Sequence, residues 1–285
     1  MTTKAASLPA GLAPQSYIAG ARPQTARKLP TLRDWSGRRI LATQLGIVLT
    51  LVLGWEAAAR LRMIDPFFWS QPSQIWETMK TFFAEGDAFV DIAFTFRSTL
   101  LGFFIGTALG SLLGLSFWWS RNYAAIAQPY VICLESLPKL ALAPLIILVF
   151  GMGLASKVAI ACALTIVVST LTTYAGVQAV DRDQERLFYS LGASRWQVFL
   201  KLVTPSCLPW IISVLRVNIG LALTGSIVGE FIASQHGLGR TILYAGQTYE
   251  ISLVWVAVLV LSTLSMLMYA AVSWLESVLR KGVVR

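Results

Sequence analysis

Long apolar stretches, each about long enough to cross a bilayer as a helix, alternate with short polar ones along this chain. A spanning helix takes about 20 mostly apolar residues. Six segments meet that requirement: 40–59 (ILATQLGIVLTLVLGWEAAA), about 95–119, about 123–151, 157–180, about 207–233 and 252–275. Of the 285 residues, 56% are hydrophobic and only 13% are charged, whereas a soluble domain carries roughly a quarter charged residues. The charges gather between the apolar stretches, as they must if each charge in hydrocarbon is costly. The pattern predicts an all-α, polytopic membrane protein with about six transmembrane helices, and it excludes a single large soluble core. Pro129, Pro138 and Pro144 interrupt the third segment and predict a kink or tilt there, because proline removes a helix hydrogen bond.

The first 38 residues are polar, basic and without an apolar run, so they read as a disordered basic tail ahead of a membrane domain at 39–285. The formal net charge of +9 does not point to nucleic acid, because the basic residues lie at the edges of spans. Most of the 23 Lys and Arg fall on one side if the N-terminus is cytoplasmic. Positive charge on the inner side sets membrane orientation, so both termini are expected in the cytoplasm. Arg60 and Arg62 run against that bias, although the external stretch 61–94 also holds Asp65, Glu77, Glu85, Asp87 and Asp91. Cys133, Cys162 and Cys207 sit in or beside apolar segments without CxxC spacing and read as small apolar residues. Gly102, Gly106, Gly110 and Gly114 recur every fourth residue, which lays a smooth strip along one helix face and lets another helix of the same chain approach closely.

Several chemistries lack their residues. No lysine follows a glycine, so the phosphate-cradling GxxxxGK[ST] loop is missing. HExxH needs two histidines and the chain has only His236; no GxSxG elbow occurs. No catalytic cluster, metal site or bound cofactor is expected.

Residues 181–206 (DRDQERLFYSLGASRWQVFLKLVTPS) are polar enough to leave the membrane. Leu187, Leu191, Val198 and Leu202 nevertheless recur at helical spacing, and Gly192-Ala193-Ser194 supplies a turn. Two short amphipathic helices with a bend are predicted. Their apolar side needs covering, by the membrane interface or by a partner protein.

The segment resembles the cytoplasmic coupling loop of bacterial ABC importer permeases, whose pattern is EAA, three residues, Gly, nine residues, Ile, any residue, Leu-Pro. Here nine residues separate Gly192 from Leu202, which is followed by Val203, Thr204 and Pro205, and Gly192-Ala193-Ser194-Arg195 is typical of the family. The EAA positions instead hold Arg186, Leu187 and Phe188, with Glu185 one residue early. The resemblance covers about 40–280. ESLPKLALAPLIILVFGMGLASK (135–157), LPWIISVLRVNIGLALTGSIVGEF (208–231) and HGLG (236–239) are similar to the permeases for nitrate, sulfonate, taurine and bicarbonate.

The resemblance implies a type I importer fold in the bacterial inner membrane and alternating access for a small anion. It also implies a second permease subunit as a homodimer partner, separate ABC ATPase subunits that bind the ATP, and an external substrate-binding protein. The ATPase contact would involve Glu185, Leu187, Leu191, Gly192, Ala193, Ser194, Arg195, Phe199 and Pro205. Charges within spans are functional candidates, so Lys139, Arg216 and Glu230, with the hydroxyl of Ser226, are candidates for the substrate path. Glu135 and Lys139, four residues apart, could pair locally, whereas Arg216 and Glu230 are too far apart along one helix to do so. A stand-alone secondary transporter or channel is the alternative, but it would leave the loop unexplained.

Overall fold

A computed structural model describes residues 36–85 and 87–283; most of the expected tail, residues 1–35, lies outside them. Among the described residues there is helix and no strand. In chain order the α-helices are α1 (Gly37–Arg60), α2 (Pro66–Trp69), α3 (Pro72–Ala84), α4 (Asp87–Ser116), α5 (Arg121–Ser136), α6 (Ala143–Phe150), α7 (Leu154–Gln178), α8 (Arg182–Ser190), α9 (Arg195–Val198), α10 (Thr204–Ile232), α11 (Leu238–Gln247) and α12 (Ile251–Val283). The chain divides into two compact units, one ending at Leu51 and one starting at Val52. Described residues 37–51 of the first are the N-terminal part of α1. Apart from the count of spans, everything below concerns the second unit.

Five helices are long and apolar enough to cross a membrane, and the pair α5–α6 makes a sixth span if taken together. That agrees with the expected six. The third span is not merely kinked, however: its two halves meet at 80°. The cause is local. Proline disfavours the α conformation in the residue before it, and Leu137, ahead of Pro138, is extended with ψ 139°. A short 3-10 turn, Lys139–Leu142, then leads into α6.

The fifth span also differs from its expected start at 207. Residues Arg195–Ile232 run as one helical stretch of 38 residues. Pro205 and Pro209 would ordinarily argue against this. A π-turn at Phe199–Val203 falls where Pro205 withdraws the N–H that an α-helix would offer to Lys201, and the wider turn absorbs the mismatch.

Helices α4, α7 and α10 form the core. The glycine strip of α4 faces α7 within the same chain, as expected. Gly102 lies on Ala161, Gly106 on Cys162 and Thr165, Gly110 on Ile166 and Ser169, and Gly114 on Thr170 and Thr173. A β-carbon at Gly114 would come within 2.7 Å of the Thr170 carbonyl oxygen. On α10, Gly225 and Gly229 meet Ala161, Ile160 and Lys157 in the same way. Lipid tails are as apolar as leucine, so spans associate through such close packing and through interhelical hydrogen bonds. The latter are present too: the Asn218 amide donates to Thr107 Oγ1 at 2.8 Å and to Ser169 Oγ at 2.6 Å, joining all three helices. Phe103, Ala161, Ile219, Ala222, Leu264 and Met268 close the core against α12. Leu112, Leu148 and Leu267 point outward, 61–82% exposed, as lipid-facing side chains do.

Candidate functional site

The loop at 181–206 is built from two caps back to back. Asp181 starts α8 by accepting a hydrogen bond from Asp183 N at 2.9 Å, and Asp183 and Glu185 place acidic charge in the first turn, where the helix dipole favours it. The helix then stops in a Schellman motif. Gly192 takes φ +81°, its N–H donates to the Tyr189 carbonyl at 3.0 Å, and Ala193 N–H donates to the Phe188 carbonyl at 3.0 Å. Ser194 immediately opens α9 with a capping box: Gln197 N–H donates to Ser194 Oγ at 3.3 Å, and Ser194 N–H donates to Gln197 Oε1 at 2.8 Å. The bend is thus fixed by backbone chemistry at Gly192-Ala193-Ser194. The second predicted helix is not separate, since α9 continues through the π-turn into α10.

The apolar residues of the loop divide between two directions. Phe188, Ala193 and Phe199 turn inward, packed on Val198, Leu202, Val203 and Cys207. Phe199 also lies against Trp118 and Trp119, with ring centroids 5.6 and 5.4 Å away. Leu187 and Leu191 turn outward, 56% and 77% exposed. Gly192 has nothing within 4 Å of where a β-carbon would stand. Arg195 is bound within the chain: it donates to the Trp119 carbonyl and its guanidinium lies 5.4 Å from the Trp119 ring centre. Of the nine residues expected to form the partner contact, Leu187, Leu191 and Gly192 form the outward tip. Glu185 and Ala193 are half-buried, Ser194 caps a helix, Phe199 packs inward, and Pro205 is exposed further along, in the first turn of α10.

Each expected path residue already has a partner. Lys139 Nζ meets Glu135 at 2.9 Å; the helix ends at Ser136, so this pair closes over the break between α5 and α6. Arg216 pairs with Glu276 of α12 at 2.6 Å, and Arg280 shares the same carboxylate at 2.9 Å. Glu230 and Ser226 belong to a buried network at the opposite end of the bundle from α8. Glu230 accepts hydrogen bonds from Gly239 N–H at 2.8 Å, Thr95 Oγ1 at 3.0 Å and Ser226 Oγ at 3.4 Å; Ser226 also meets Ser98.

Asp91 and Thr95 complete this network, and neither was legible as a buried group in the sequence. Asp91, expected in an external stretch, is 5% exposed and accepts from Gly237 N–H at 2.8 Å and Thr241 Oγ1 at 2.6 Å. Thr95 Oγ1 receives Leu238 N–H at 3.0 Å, so the otherwise orphaned donors at the start of α11 are satisfied. Nearby, Lys157 is fully buried and donates to the Met152 carbonyl at 2.6 Å and to the Ala233 carbonyl. A lysine in the first turn of a helix opposes the dipole, and that was the one signal that it serves another purpose.

Residues 102–281 match the family described as "Binding-protein-dependent transport system inner membrane component". The chain belongs to that family. It is a multi-pass inner-membrane permease of an ABC importer, a transport component whose family implies an ABC ATPase and a substrate-binding protein as partners. It is 33% identical to the formylaminopyrimidine transport permease ThiX of Halalkalibacterium halodurans, over 81% of this chain and 92% of the relative. It is 27% identical to the taurine transport permease TauC of Escherichia coli, over 82% and 87% of the two chains, and 26% identical to a putative aliphatic sulfonates permease, SsuC, of Bacillus subtilis, over 94% and 97%. In fold the permease is similar to a chain of the MetNI methionine ABC transporter, with TM-score 0.55 and 18% identity over 70% of this chain and 95% of the other.

Proposed function

We propose that the permease is driven through the tip of its 181–206 loop, with Leu187, Leu191 and Gly192 seated on a separate ABC ATPase subunit. One observation carries this reading: the two leucines beside the bend stand in the open on a turn fixed by its own caps, while Phe188, Ala193 and Phe199 of the same loop pack into the bundle. Exposed leucines on a rigid turn cost solvation unless a partner covers them. ATP stays on the ATPase, this chain binds no cofactor, and both termini lie on the ATPase side. Two copies of the permease enclose the path, and closure of the ATPases moves the loop and α10 together, because α9 and α10 are one helical stretch.

For the substrate we propose a small anion of the sulfonate, nitrate, taurine or bicarbonate kind. The similarity to taurine and aliphatic sulfonates permeases supports it, as does Arg216, whose side chain is 46% exposed despite its pairing with Glu276. A second reading, a nitrogen heterocycle, is favoured by the 33% identity to the formylaminopyrimidine permease and by the carboxylates already beside Lys139 and Arg216. Uptake by the reconstituted complex, with each solute presented on its binding protein, separates them. ATP-dependent taurine or sulfonate uptake supports the first, and uptake of the pyrimidine alone supports the second. Uptake without ATP or ATPase would contradict the importer mechanism.

A further inference from the structure

A cleft of about 430 Å³ opens at the α8 end of the bundle, between the end of α4, the start of α5, the end of α7, and the 181–206 loop. Its charged lining is Arg121, Arg182, Arg195 and Glu185, joined by Gln128 and Gln178. Among the described residues none of the three arginines forms an ion pair. Arg195 is braced by the Trp119 carbonyl and the faces of Trp118 and Trp119, an arrangement that fixes a guanidinium in place without neutralising it. Around the cleft stand Trp118, Trp119, Tyr123 and Trp196, the last 62% exposed. Tryptophan and tyrosine concentrate where membrane helices meet the headgroup layer, and the cleft walls are the ends of three such helices.

We infer that this cleft is a binding site for the phosphodiester headgroup of an anionic phospholipid. Arginine suits phosphate because its fork of donors matches two oxygens at once. The excess positive charge favours an anionic over a zwitterionic headgroup, and the two glutamines can donate to glycerol or phosphate oxygens. The site is separate from the proposed ATPase contact on the same helix. Glu185 and Phe188, three residues apart, share the face of α8 turned to the cleft and bundle, whereas Leu187 and Leu191, four apart, share the outward face.

The test uses the intact transporter complex in nanodiscs of phosphatidylcholine containing a minority of phosphatidylglycerol. The lipid still bound to the permease after transfer to detergent is counted by native mass spectrometry. The site predicts retention of phosphatidylglycerol over phosphatidylcholine. That preference falls roughly fivefold per guanidinium removed in Arg121→Gln and Arg182→Gln, is kept in large part by the Arg→Lys variants, and is unmoved by Lys281→Gln. Equal retention of the two lipids by the wild type overturns the proposal without any variant having to fold. Displacement by millimolar inorganic phosphate overturns it in favour of a free-anion site. Loss of the ATPase subunit from the Gln variants, with lipid retention intact, overturns it in favour of a protein contact.

Discussion

Two turns bracket α10, and both rest on a glycine with positive φ, Gly192 at +81° and Gly237 at +115°. Such backbone is open to glycine and strained for most other residues. The surroundings differ completely. A β-carbon at Gly192 would meet nothing within 4 Å, while one at Gly237 would collide with the Glu230 carboxylate. Around Gly237 the backbone donors of α11 are taken up by Asp91, Thr95 and Glu230. Around Gly192 the backbone is satisfied by its own caps, and the neighbouring leucines are exposed. The same conformational device therefore serves a closed joint at one end of the helix and an open, rigid tip at the other. The closed joint ties α4, α10 and α11 together, and under the proposed function it would pass on a push applied at the open tip.

The contrast gives a ranked series. Gly237→Val forces a β-branched residue into positive φ and into the carboxylate, and should cost roughly 3–5 kcal/mol; the expected result is loss of monodisperse protein on size exclusion in detergent. Glu230→Ala leaves the Gly239 N–H and the Thr95 hydroxyl without their acceptor and should cost about 2–4 kcal/mol, read as a lowered melting temperature in detergent. Glu230→Gln, which keeps an oxygen there, should cost less. Gly192→Ala meets only the backbone penalty of about 1 kcal/mol, so a melting shift as large as that of Gly237→Ala would break the comparison. Leu191→Asp should leave stability within about 0.5 kcal/mol and show its effect only when the ATPase is added.

Much of the membrane architecture was legible because it rests on local patterns. Apolar length revealed the spans, and the four-residue glycine period identified a face that packs within the chain. The bend at Gly192-Ala193-Ser194 was readable because its caps are chemical groups a few residues apart. Three features were not. The break at Pro138 was signalled by the proline, but its angle depends on where α6 can pack. The continuity of α9 with α10 was hidden because Pro205 read as the end of a separate short helix, and only the π-turn makes the two one stretch. The joint at Gly237 was invisible because Asp91 lies 146 residues from it in sequence, so an acid that belongs to a buried cap read as a surface charge. Within residues 181–206, spacing predicted the helices and the bend, but it could not tell Phe199, which faces the bundle, from Leu191, which faces out.

The central claim is that the outward tip at Leu187, Leu191 and Gly192 carries the contact with the ATPase. Its most direct measurement is co-purification and ATP hydrolysis by the complex carrying Leu191→Asp, made alongside a melting curve of the permease alone. The account predicts an unchanged melting temperature together with loss of the ATPase from the complex and of substrate-stimulated hydrolysis. A variant that melts as the wild type does, retains its ATPase and hydrolyses ATP at the wild-type stimulated rate would contradict it.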